Sequence, residues 1–206
     1  MWPAGLPAFV LASTLIELTP GPNMAWLALV AATEGRRPGY AAVAGVALGL
    51  SVIGTAAAFG LAAMIAATPV LFQALRWGGV LYLLWLASDG WRDAANVDGN
   101  GHHGIAPSRA FRRGLVTNLL NPKAAVFYVA VLPGFTDPGA PVLGETLILT
   151  AAYVAVATLI HAGIVTLAGS ANALLGDPDR SRSIRRLLSV SLALVALWFF
   201  WSSRAA

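Results

Sequence analysis

The chain has 206 residues, of which 58% are hydrophobic and only 11% charged. Soluble domains carry about 25% charged residues, so this composition excludes that class and points to an integral membrane protein. The net charge of +4 comes from arginines spread between apolar segments, which excludes a nucleic-acid patch, and the lack of cysteine excludes disulfides, thiol redox chemistry and thiolate metal sites.

Taken in order, six apolar segments are long enough to cross a hydrocarbon core, which takes about 20 residues. The first, Leu6 to Ala32, has no basic leader and exceeds a signal-peptide core in length, so it reads as a mature span. Its middle is broken by Glu17-Leu18-Thr19-Pro20-Gly21-Pro22-Asn23. Proline deletes a backbone donor, so Pro20 and Pro22 free the carbonyls of Ile16 and Leu18. The second segment, Tyr40 to Ala67, carries Gly45 and Gly49, a small-xxx-small face that lets another helix approach closely. Its partner is either a helix of the same chain, the default, or a second protomer in a homodimer. The third, Val70 to Ser88, contains Arg76, which must snorkel or face protein.

A polar, glycine-rich loop over Asp89 to Arg113 follows, with Asp98, His102 and His103 near its centre. These are metal-ligand types, but adjacent histidines in such a loop read as solvated, and no metal or other cofactor is expected. The fourth segment, Leu115 to Pro133, is broken by Asn118-Leu119-Leu120-Asn121-Pro122-Lys123, where Pro122 frees the carbonyl of Asn118. The fifth, Leu147 to Leu167, holds His161, and the sixth runs from Ile184 to Ser203. Trp2, Trp77, Trp85, Trp91, Trp198 and Trp201 lie near segment ends, as interfacial anchors do.

Three spans before the loop and three after it give an all-α polytopic protein of two inverted three-helix repeats, residues 1–88 and 114–206, in one transporter domain. Pro22 and Pro122 then stand at corresponding places, and such paired interruptions mark a transporter's binding site. Arg36, Arg37, Arg92, Arg109, Arg112, Arg113, Arg180, Arg182, Arg185 and Arg186 fall in loops on one face. The positive-inside rule makes that face cytoplasmic and leaves both termini outside the cytoplasm.

Lys123 is the only lysine, and a lysine within a span needs a partner and a task. It can pair with an acid, bind a substrate carboxylate, exchange a proton, or snorkel to the interface. Glu17 is the only carboxylate well inside a span. It can pair with Lys123, coordinate an ammonium group, carry a proton, or merely fix helix packing. His161 is a second candidate proton carrier, with a hydrogen-bonded packing role as the plainer reading. Asn23, Asn118, Asn121 and Thr19 supply donors and acceptors beside the breaks, partly for the freed carbonyls. N–H groups and a lysine for a carboxylate, with a carboxylate or carbonyls for an ammonium, suit a zwitterion such as an amino acid.

These residues resemble the LysE/RhtB family of bacterial amino-acid exporters over essentially the whole chain. Thr19-Pro20-Gly21-Pro22-Asn23 is similar to the family's TPGP-type signature. Phe111-Arg112-Arg113-Gly114-Leu115, Asn118 to Ala124, Phe127 and Pro133-Gly134-Phe135 are similar to its F-x-x-G…N-x-x-N-P-K…F…P-x-F pattern. Leu81 to Leu86 looks like its third-span motif, although Ala87 stands where the family usually has glycine. The resemblance implies efflux of amino acids or close derivatives across the bacterial inner membrane, driven by proton antiport. It favours Pro20, Gly21, Pro22, Asn121, Pro122 and Lys123 as the central machinery, whereas Glu17 is outside the pattern and rests on physics alone.

Rival readings are an exporter of another small solute or ion, an intramembrane enzyme, and a passive channel or scaffold. The enzyme lacks a nucleophile with an adjacent base, and the channel lacks repeated rings of charge.

Overall fold

Pro22 and Pro122 each open a new helix. The computed structural model describes residues 3, 5–60, 68–95, 105–137, 141–172 and 178–202, so Trp2 and the Asp98–His103 stretch lie outside the described residues. Helix α1 (Leu6–Leu18) stops before Pro20, and α2 (Pro22–Glu34) starts with proline at its first position. Proline suits that position because its missing N–H has no helical partner there anyway. Helix α3 (Arg36–Ala58) follows through the single residue Gly35, whose φ of 88° is a conformation that side-chain-bearing residues avoid. Helix α4 spans Pro69–Ala95.

The second half repeats the break. Helix α5 (Pro107–Leu119) gives way to α6 (Pro122–Val126), which continues through a π-helical turn (Phe127–Val131) and a 3₁₀ turn (Leu132–Phe135). The two parts meet at 50°. Helices α7 (Val142–Asn172) and α8 (Pro178–Ser202) complete the fold. No strand occurs among the described residues, so the fold is all-α. Among those residues α3, α4 and α7 are long and apolar enough to cross a membrane, and the bent α5–α6 pair would make a fourth; α1 is a shorter apolar helix.

Helices overrun the apolar windows at several ends. Helix α4 continues past Ser88 to Ala95, and α5 begins at Pro107 rather than near Leu115. An apolar window marks what lipid can cover, whereas a helix ends where its backbone bonds end.

Helix α3 packs along α5 and α7, α2 along α3, α7 and α8, and α4 along α8. The small-xxx-small face of α3 has an intramolecular partner. A Cβ on Gly45 would overlap the backbone of Phe111 and Leu115 in α5, and one on Gly114 would overlap the backbone of Ala42. The α3–α5 contact is therefore backbone against backbone. One buried apolar cluster joins Phe9, Val46, Leu50, Phe127, Tyr128 and Tyr153, and a second joins Trp26, Val30, Leu83, Leu86 and Leu192.

Arg76 is 4% exposed, so it faces protein, and its guanidinium donates to Gln73 Oε1 at 3.3 Å. Trp77, Trp85, Trp91, Trp198 and Trp201 are all substantially exposed, as lipid-facing anchors would be. Two arginines expected in loops lie in helices, Arg185 in α8 and Arg113 in α5, and hold helices together. Arg185 meets Glu34 at 2.5 Å and donates to the carbonyl of Thr33 at 2.6 Å, while the backbone N–H of Ile105 donates to the other Glu34 oxygen at 2.9 Å. Arg113 pairs with Asp89 at 2.6 Å and lies 5.0 Å from the Trp85 ring centroid, a cation–π distance.

Candidate functional site

The two proline breaks meet, and a pocket lies between them lined by Glu17, Gly21, Pro22, Asn23, Met24, Leu50, Asn121, Lys123, Ala124, Tyr153 and His161. Because α1 cannot continue through Pro20, its last turn leaves carbonyls without helical donors. Lys123 supplies them. Its Nζ donates to the Ile16 carbonyl at 2.7 Å and to the Thr19 carbonyl at 3.0 Å. Ile16 also accepts from the backbone N–H and the hydroxyl of Thr19. A cation at a helix C-terminus is further favoured by the helix dipole. The side chain reaches this place by crossing Gly21, where a Cβ would lie 3.7 Å from Nζ.

The second break is closed locally. Asn121 caps α6 by accepting from the Lys123 backbone N–H at 3.1 Å, and its own N–H donates to the freed Asn118 carbonyl at 2.9 Å. Asn118, fully buried, accepts on its side-chain oxygen from Asn23 Nδ2 at 2.8 Å and so ties α5 to α2. Asn23 Oδ1 and Asn118 Nδ2, both buried, have no hydrogen-bond partner.

Glu17 is 5% exposed and meets α7 rather than Lys123. Tyr153 donates its hydroxyl to Glu17 Oε1 at 2.5 Å, and His161 Nε2 lies 3.3 Å from Glu17 Oε2. That distance suits an ion pair, yet neither ring nitrogen of His161 makes an aligned hydrogen bond. Tyr153 is held in place by stacking on Phe127, with ring centroids 3.8 Å apart. The π-helical turn of the second half thus positions the donor to the first half's carboxylate.

The candidate residues therefore divide. Glu17, Gly21, Pro22, Asn23, Asn121, Lys123 and His161 line one pocket. Asn118 and Pro122 support it from buried positions, and Thr19 contributes its carbonyl from an exposed one. Pro20 is exposed beside the break. No Glu17–Lys123 ion pair forms; each has its own partners across the pocket. Tyr153 and Met24 were not singled out from sequence. A tyrosine within an apolar helix, eight residues before the only intramembrane histidine, was the available signal. No group of three or more His, Cys, Asp or Glu side chains that could hold a metal occurs among the described residues.

The arrangement offers a fixed ammonium, a buried carboxylate with an imidazole beside it, and an incompletely paired amide pair, all at the junction of the two halves. Such groups can bind a zwitterion and pass a proton; they hold no nucleophile–base pairing.

Comparison with known proteins agrees in scale. The LysE type translocator family matches residues 14–203. A homoserine/homoserine lactone efflux protein of Salmonella typhi is 31% identical over 192 residues, covering 91% of this chain and 92% of that protein. A leucine efflux protein of Enterobacter sp. (strain 638) is 33% identical over 164 residues, covering 79% and 78%. No solved structure matches the chain. With a family match over nearly its full length and with its two break motifs, the chain belongs to the LysE type translocator family.

Proposed function

We propose that this protein exports amino acids or close derivatives across the bacterial inner membrane by proton antiport, through six spans arranged as two inverted repeats with both termini outside the cytoplasm. The observation that carries this reading is the reach of Lys123, in the second break, to the carbonyls of the first break beside Glu17. The relatives named for efflux of homoserine and of leucine support the substrate class.

Inverted repeats are supported by reciprocal packing. Helix α3 of the first half lies on the broken α5–α6 element, α7 of the second half lies on the broken α1–α2 element, and α4 pairs with α8. The arginine asymmetry supports the orientation. In the cycle, one half rocks against the other around the pocket, and the Lys123 contacts to Ile16 and Thr19 must change because they bridge the halves. Glu17, with His161 beside it, is the proton carrier, and Lys123, Asn121 and Asn23 are the substrate contacts.

The test is extracellular amino-acid profiling of cells expressing wild type, Lys123→Ala or Pro122→Ala at matched membrane levels. A rise in one or a few amino acids that disappears in both variants and on collapse of the proton gradient is expected. Export at the wild-type rate by both variants would show that the breaks are scaffolding.

A further inference from the structure

We propose that the pocket selects amino acids whose side chain carries no positive charge, and that Asn23 is the residue that sets this limit; the inference rests on the amino-acid export reading above. Asn23 and Lys123 occupy matched stations. Each directly follows the proline that opens the second helix of its break, Pro22 for α2 and Pro122 for α6. Both line the same pocket. At this matched station the second half places a cation and the first half a neutral amide.

The hydrogen-bond inventory says what each can accept. An ammonium has three donors, and Lys123 uses two of them on the Ile16 and Thr19 carbonyls. The remaining donor and the charge suit a substrate carboxylate. Asn23 is 6% exposed, its amide nitrogen is engaged by Asn118, and its Oδ1 is buried without a partner. Asn23 lines the pocket, and its unpaired oxygen, buried in this conformation, becomes the natural partner of the substrate's α-ammonium when the halves move.

Charge then limits the rest of the ligand. Glu17 is the only carboxylate lining the pocket, and its two oxygens already face Tyr153 and His161. Lys123 and Glu17 place opposite charges across the pocket, as the two ends of a zwitterion require. A second cation on the side chain of lysine or arginine would meet Lys123 and no free carboxylate. Such an unpaired charge is strongly disfavoured away from water. Met24, Leu50 and Ala124 offer the side chain apolar surface instead. Exclusion here comes from the missing counter-charge.

The experiment uses the full-length protein in detergent and in cells. Leucine, homoserine, lysine and arginine are titrated by calorimetry, and export of the same four is followed. Wild type should bind and export the two uncharged side chains at least about tenfold better than the two basic ones. Asn23→Asp should narrow or invert that ratio by gaining the basic pair. Asn23→Ser, which removes the amide oxygen without adding charge, should weaken leucine and homoserine about tenfold and gain nothing. Membrane levels and melting profiles identify any variant that fails to fold, in which case the other variant and the wild-type ratio decide. Equal handling of basic and uncharged amino acids by wild type, or unchanged selectivity in both Asn23 variants, overturns the inference while leaving export intact. Absence of binding and export for every amino acid overturns the export reading and this inference together.

Discussion

Lys123 Nζ lies 2.7 Å from the carbonyl oxygen of Ile16, a residue 107 positions earlier in the chain. The contact joins the two proline breaks directly. In the proposed cycle this contact must release, which places Lys123 to sense the ligand between the halves.

Lys123→Met keeps the length of the side chain but leaves the Thr19 carbonyl without its donor and weakens the set around Ile16. Thr19 is exposed and Ile16 keeps its two Thr19 donors, so denaturation in detergent should shift by about 0.5–1.5 kcal/mol, the net value of an ordinary hydrogen bond. Lys123→Arg should recover part of the stability, because it restores a donor with a different shape. Equal stability of all three would mean that the lysine does not cap α1.

Tyr153→Phe removes the donor to Glu17 Oε1 and nothing else of the ring stack on Phe127. A hydrogen bond to a charged group contributes about 1.5–3 kcal/mol, which the melting of the variant should reveal. Glu17→Gln removes the proposed proton-binding group. Its residual export should no longer respond when a protonophore collapses the gradient; a response as large as wild type's would remove Glu17 from coupling.

Glycine is required where helices touch and dispensable where they do not. Gly45→Ala sets a methyl group against the Phe111 backbone, forcing α3 and α5 apart. The expected loss is about 1–3 kcal/mol, the range for overpacking. Gly163→Ala, on an exposed face of α7 with nothing within 4 Å, should be neutral or stabilising by up to about 1 kcal/mol. Paired melting curves make the comparison, and similar behaviour of the two would refute the close α3–α5 contact.

Arg185 and Glu34 are both nearly buried, at 10% and 12% side-chain exposure. Removing one partner of such a pair strands a charge, and Arg185→Ala should cost about 3–5 kcal/mol. Adding Glu34→Gln should return part of it. A double-mutant cycle with no coupling would show that the pair is incidental.

Several features were legible from residues alone because covalent chemistry imposes them. Proline has no N–H, so the breaks at Pro20, Pro22 and Pro122, and the freed carbonyls of Ile16 and Asn118, could be placed before any packing was known. Hydropathy identified α3, α4 and α7 as helices long and apolar enough to cross a membrane, and the motifs around both breaks identified the family. Helix ends were less legible, as the overrun of α4 to Ala95 shows, since hydropathy reports lipid contact rather than backbone bonding.

Pairing was decided by tertiary structure. Sequence left Lys123 and Glu17 as possible partners of each other; packing gives Lys123 to two carbonyls, and Glu17 to Tyr153 and His161. It turns Arg76 into protein, sets Asn23 against Asn118, and seats Gly45 on α5 of the same chain. The physical reason is range. Proline, glycine and hydropathy act on the few residues around them, and a sequence displays those effects directly. A hydrogen bond between residues about a hundred positions apart depends on how whole helices cross, and in a bundle many crossings bury similar apolar area. The amino-acid sequence determined where the helices must break; the packing of α7 and α5 against those breaks decided which polar groups face one another.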